Sequence, residues 1–177
     1  MSTPPPFVRV APGFEDEFPD ASPLATECFM NFGVVAGTVQ AALTALFASH
    51  GVPSLGAFNV LTILEGADGP LAPSTIAERM VVSRPTITGL LDTLEARRLV
   101  ERRAHRTDGR RRVVVLTRRG RATVERLLPT VHAFERDVLS CFDGAEQQQL
   151  LDLLAKLEHH LVARFPHTEA GIRESTS

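Results

Sequence analysis

Arginine is concentrated in one short part of this chain. Between Arg97 and Arg126 there are twelve arginines and only three acids, Glu101, Asp108 and Glu125, although the formal net charge of all 177 residues is −2. Guanidinium groups at this density are suited to a polyanion, because they fork onto phosphate oxygens and displace counterions. Just upstream, Ser83-Arg84-Pro85-Thr86-Ile87-Thr88-Gly89 supplies three hydroxyls, one more guanidinium and an apolar ring. Those groups match phosphate oxygens, base edges and thymine methyls. Nothing comparable points to catalysis. His132-x2-Glu135 and His159-His160 are isolated and lack metal-ligand spacing, so no enzyme, metal or cofactor is expected.

Chemistry of this kind needs a scaffold, and the flanking periodicity provides one. Ile87, Leu90, Leu91 and Leu94 recur at i, i+3, i+4 and i+7, which predicts a helix with one buried face. Ser83 is its N-cap, and Pro85 sits where no N–H is needed. Placing those four inward turns Pro85, Thr88, Gly89 and Asp92 outward. After Leu99 the pattern becomes strand, a Thr107-Asp108-Gly109 turn, then a second strand from Val113 to Leu116. Before this unit, helices are predicted over residues 24–50, 55–65 (capped by Ser54) and from Pro73 to Met80. After it, Thr117 caps a helix running to Phe142 with a bend at Pro129, and Asp143 caps a last helix ending near Phe165. The fold expected is mainly α with a small β-hairpin wing: a winged helix-turn-helix reader flanked by N- and C-terminal helices.

Composition narrows the class further. With 44% hydrophobic residues the chain can bury a core. Two cysteines make no disulfide framework, the start MSTPPPFVRV lacks the apolar stretch of a signal peptide, and no apolar run approaches the roughly 20 residues of a membrane span. A cytoplasmic protein without a membrane partner is therefore expected. Residues 1–23, rich in proline and acid, are expected as a flexible arm, and 166–177 as a frayed tail. Helices 24–50 and 121–165 hold more apolar surface than the reader at 51–120 can cover, which predicts a dimerisation layer and a homodimer.

The stretch IAERM-x2-SRPTIT-x3-D-x-LE-x3-LVERR, followed by DGRRRVVVLTRRG, resembles the MarR family of bacterial transcription regulators over about residues 24–165. Asp108, Arg110, Leu116, Thr117 and Gly120 match that family's wing, whereas Arg98 stands where it usually has glycine and Gly89 where it often has a basic residue. The resemblance implies a dimeric reader of double-stranded DNA at a palindromic operator, most often a repressor released by a small aromatic ligand. Arg84 and Thr88 would meet bases or adjacent phosphates, Ser83 and Thr86 the backbone, and Pro85 a thymine methyl, while Gly89 would either let a groove wall approach closely or be only a weak point in the helix. Arg106, Arg110 and Arg111 would form the wing tip, Arg110 entering the minor groove and Asp108 holding an arginine in place. Asp92 should lie beyond the contact zone or pair with an arginine. Phe29, Phe32, Phe47 and Phe58 are candidates for the ligand pocket. Cys28 lies where peroxide-sensing relatives carry their reactive thiol, but the tyrosines they use are absent, so a buried structural thiol is expected. The competing reading is a helical interaction module whose basic hairpin binds an acidic partner other than DNA.

Overall fold

The computed structural model describes residues 8–105 and 111–165. In chain order the elements are α1 (Phe14–Glu17), α2 (Pro23–Ser49), α3 (Leu55–Glu65), α4 (Pro73–Met80), α5 (Arg84–Ala96), β1 (Val100–Ala104), β2 (Arg112–Leu116), α6 (Arg118–Val138) and α7 (Gly144–Arg164). They divide into two compact units, Met1–Leu46 and Phe47–Ser177.

In the first unit the segment leading into α2 is hydrogen-bonded along that helix. The Asn31 side chain accepts from the Val8 N–H (3.1 Å) and donates to the Val8 carbonyl (2.9 Å). Glu27 accepts from the Val10 N–H at 3.0 Å and from Arg9 at 3.1 Å. The expected arm therefore has an ordered part from Val8 onward, which includes α1. A second difference concerns α2 itself. No charged residue occurs from Cys28 to Ser49, and the helix is long and apolar enough, by length and composition, to cross a membrane. Asn31, Thr38, Gln40 and Thr44 break up any strictly apolar run, but they leave the stretch without charge. Leu24, Phe29, Met30, Phe32, Val34 and Val35 are exposed along it.

The second unit holds the core. Phe58, Leu61 and Leu64 of α3, Ile76 of α4, Ile87, Leu91 and Leu94 of α5, and Val124, Leu127 and Val131 of α6 are buried together with Leu99, Val100, Val113 and Val114 of the hairpin. Leu55, at the exposed start of α3, does not join them. β1 and β2 are antiparallel with Val100 opposite Leu116 and Ala104 opposite Arg112. Leu71 adds a third line to this sheet by exchanging backbone hydrogen bonds with Val114 (2.7 and 3.2 Å).

Local signals set most helix starts. Ser54, Ser83 and Thr117 each accept from the backbone N–H three residues on, and Asp143 forms a full capping box with Glu146. α6 runs through Pro129 and ends at Val138 rather than Phe142, because residues 139–142 turn into the Asp143 box. Two non-glycine residues have left-handed backbones, Val81 (φ 54°) and Arg98 (φ 58°), and they bracket α5 on either side. At Gly120 the start of α6 passes so close to Leu99 that a Cβ there would overlap the Leu99 carbonyl.

Two substitutions test this geometry by urea unfolding. Gly120→Ala should lower stability by about 1–3 kcal/mol, as overpacking does. Arg98→Gly should raise it by about 0.5–1 kcal/mol, the left-handed strain removed less the extra freedom given to the unfolded chain.

Candidate nucleic-acid interface

α5 divides cleanly into two faces. Ile87, Leu91 and Leu94 are buried, and Leu90 packs half-buried over Gly56. Arg84, Pro85, Thr86, Thr88 and Gly89 are exposed, with the half-buried Ser83 at their head. Ser83 accepts from the Thr86 N–H (3.3 Å), and the two hydroxyls lie 2.8 Å apart. Arg84 has no ion-pair partner among the described residues. Nothing lies within 4 Å of where a Gly89 Cβ would stand, so no neighbour in the fold demands glycine there.

What fixes α5 against the wing is Arg102, on β1. Its Nη1 is 2.6 Å from Asp92 and 2.8 Å from Glu95, its backbone N–H donates to Glu95 (3.1 Å), and its Nη2 donates to the Thr88 carbonyl (3.3 Å). Burial opposes the charge on this guanidinium, but the hydrogen bonds and charges of Asp92 and Glu95 outweigh it and hold its pKa above the ordinary arginine value. Asp92 is thus neutralised by an arginine, as one of its two expected fates required. Sequence reasoning missed Arg102 itself. The available signal was a pair of acids, Asp92 and Glu95, three apart on the α5 edge that meets the hairpin.

Further arginines on the hairpin and on the helices either side of it have different partners. Arg103 pairs with Glu101 on its own strand (2.9 Å), which lowers the Glu101 pKa. Arg121 bonds both Glu65 oxygens at 3.0 Å, and Arg97 donates to the Gly51 carbonyl at 3.2 Å. Arg111 is exposed just before β2, where its carbonyl accepts from the His105 N–H (2.9 Å). Arg106, Asp108 and Arg110 lie outside the described residues.

The four aromatic candidates fall in different settings. Phe47 and Phe58 stack with ring centroids 5.0 Å apart and are 1% and 7% exposed, filling core. Phe29 and Phe32 are 79% and 51% exposed on α2. Cys28, expected as a buried thiol, is exposed on α2. Among the described residues no group of His, Cys, Asp and Glu is arranged to hold a metal.

Arg102→Ala should cost about 1 kcal/mol, small because the partner carboxylates are partly solvent-screened. It should also speed amide exchange in β1 and at the start of β2. Arg102→Lys should restore only part of this, since an ammonium cannot fork between two carboxylates and a carbonyl. Unchanged exchange in Arg102→Ala would show that the wing does not depend on this residue.

The sequence model described as MarR family matches residues 50–111. The HTH-type transcriptional repressor YetL of Bacillus subtilis (strain 168) is 31% identical over 136 residues, covering 76% of this chain and 81% of that protein. The crystal structure of a probable transcriptional regulator from Pseudomonas aeruginosa superposes with a TM-score of 0.57 at 30% identity, covering 71% of this chain and 95% of that one. The S. aureus MepR–DNA complex shares the fold, with a TM-score of 0.63 at 23% identity over 73% of this chain and 93% of that one. With a winged helix-turn-helix, an exposed α5 edge and a relative of this similarity and coverage, the chain belongs to the MarR family of DNA-binding transcription regulators.

Proposed function

We propose that this regulator acts as a homodimeric repressor that reads a palindromic operator and leaves it on binding a small aromatic ligand. The observation that carries the DNA-reading part is the exposed edge from Ser83 to Gly89, rigidly capped and pinned to the wing through Arg102. The α5 N-terminus would enter the major groove with Arg84 and Thr88 at base edges or phosphates, Ser83 and Thr86 on the backbone, and Pro85 on a thymine methyl. Arg106, Arg110 and Arg111 would carry the wing onto the neighbouring minor groove, with Asp108 orienting one of them. The dimer is supported by α7, which buries no residue and exposes Leu151, Leu153, Leu154, Leu157 and Leu161. A two-fold pair would place two α5 helices about one DNA turn, roughly 34 Å, apart. Phe29 and Phe32 are the accessible aromatic candidates for the ligand, whereas Phe47 and Phe58 would have to part from each other to receive it.

Selection of bound duplexes from random sequence, read with sedimentation of the free protein, tests this directly. A palindrome with half-sites one turn apart and a dimeric mass are expected, and Leu154→Asp with Leu157→Asp should shift the mass toward the monomer. Binding that is equal for all duplexes and for other polyanions at every salt concentration would favour an acidic partner other than DNA. Gly89→Ala separates contact from mere tolerance. It should raise helix stability by about 0.5–1 kcal/mol and still weaken operator binding by about fivefold. Unchanged affinity would remove Gly89 from the interface.

A further inference from the structure

Thr88 sits in the middle of the exposed α5 edge with its hydrogen-bonding capacity already divided. Its hydroxyl donates to the Arg84 carbonyl oxygen at 2.9 Å. A hydroxyl has one proton and two lone pairs, so while this bond is kept the side chain offers an outside partner a lone pair of Oγ1 and the Cγ2 methyl. The residue is fixed at its other end as well, because its own carbonyl accepts from Arg102 Nη2 at 3.3 Å and Arg102 is held by Asp92 and Glu95. Gly89 beside it presents no side chain to screen it. At Thr88 the α5 edge therefore carries an acceptor next to a methyl, its own proton being held by the Arg84 carbonyl.

Base pairs differ in what they return to such a group. In the major groove guanine shows two acceptors, which would face the Thr88 oxygen with no proton between them. Cytosine shows an amino donor but no methyl. An adenine–thymine pair supplies both an exocyclic amino group and a methyl within one pair. We infer that Thr88 is a specificity residue, accepting from the adenine amino group while its methyl meets that of thymine, and so selecting an adenine–thymine pair where it touches the operator. The inference rests on the groove-edge reading proposed above and names what that edge recognises.

The test uses the full chain on its selected duplex, with a circular dichroism check that each exposed-site variant is folded. Thr88→Val keeps the methyl and loses the acceptor, and Thr88→Ser does the reverse. Replacing one adenine by purine, which lacks the amino group, should weaken the wild type about five- to tenfold at a single position and leave Thr88→Val unaffected there. Replacing the paired thymine by uracil should weaken the wild type but not Thr88→Ser. If the wild type selects a site and Thr88→Val selects the same site with equal affinity and equal sensitivity to purine, this inference is overturned and the groove edge stands. If the wild type selects no sequence at all, both fall.

Discussion

The carbonyl of Leu99 is the point on which the reader is assembled. It accepts from the Thr117 N–H at 3.1 Å and from the Thr117 hydroxyl at 3.2 Å, and that hydroxyl also reaches the Arg98 carbonyl at 2.7 Å. The Thr117 hydroxyl oxygen in turn caps α6 by accepting from the Gly120 N–H at 2.9 Å. One threonine therefore ends the α5 connection, closes the base of the hairpin and starts α6. Gly120 is dictated by this junction, since only a residue without a Cβ lets α6 approach the Leu99 oxygen. The left-handed Arg98 is part of the same arrangement, because the chain must reverse between α5 and β1 within a few residues to deliver Leu99 to its place.

Charge is divided as sharply as the backbone. No lysine or arginine occurs between Arg9 and Arg79, while the hairpin and its flanks carry most of the chain's basic residues. Counting arginines nevertheless overstates the phosphate footprint. Arg97, Arg102, Arg103 and Arg121 are engaged within the protein, Arg102 with a side chain only 25% exposed. Arg84, Arg98, Arg112, Arg118, Arg119 and Arg126 have no ion pair among the described residues and stay available to an external anion. Arginines that look equivalent in the sequence thus separate into those that shape the reader and those able to face a phosphate backbone, and the second group, with the wing arginines proposed above, should set the salt dependence.

This division explains how far the sequence could be read. Helix starts were legible because a cap is a local event, decided by Ser54, Ser83, Thr117 or Asp143 and the N–H groups that follow. The α5 faces were legible because four apolar residues at helical spacing admit one orientation. Arg102 was not, because its role depends on the hairpin register that sets it beside Asp92 and Glu95. The details of α6 were also hidden: Thr123 and Leu127 are buried there, whereas Val138 is 37% exposed. Which side of a long amphipathic helix is covered is decided by what packs on it, and periodicity alone does not carry that information.

The same consideration bears on the uncovered helices. Five leucines of α7 remain 41–59% exposed. Removing that residual surface from water is worth about 1 kcal/mol for each leucine, about half of full burial. Two copies of α7 would together gain on the order of 10 kcal/mol, comparable with the 4–15 kcal/mol that association costs. In the proposed homodimer, α7 alone would leave association balanced, and the exposed apolar residues of α2 would add to the favourable side. Their composition would also suit a lipid environment, whereas α7 mixes its leucines with Gln, Asp, Lys, Glu and His and is not a spanning segment. A second copy of the chain, as proposed above, would offer apolar surface to each of these helices, and that demand is the physical argument for the proposed homodimer.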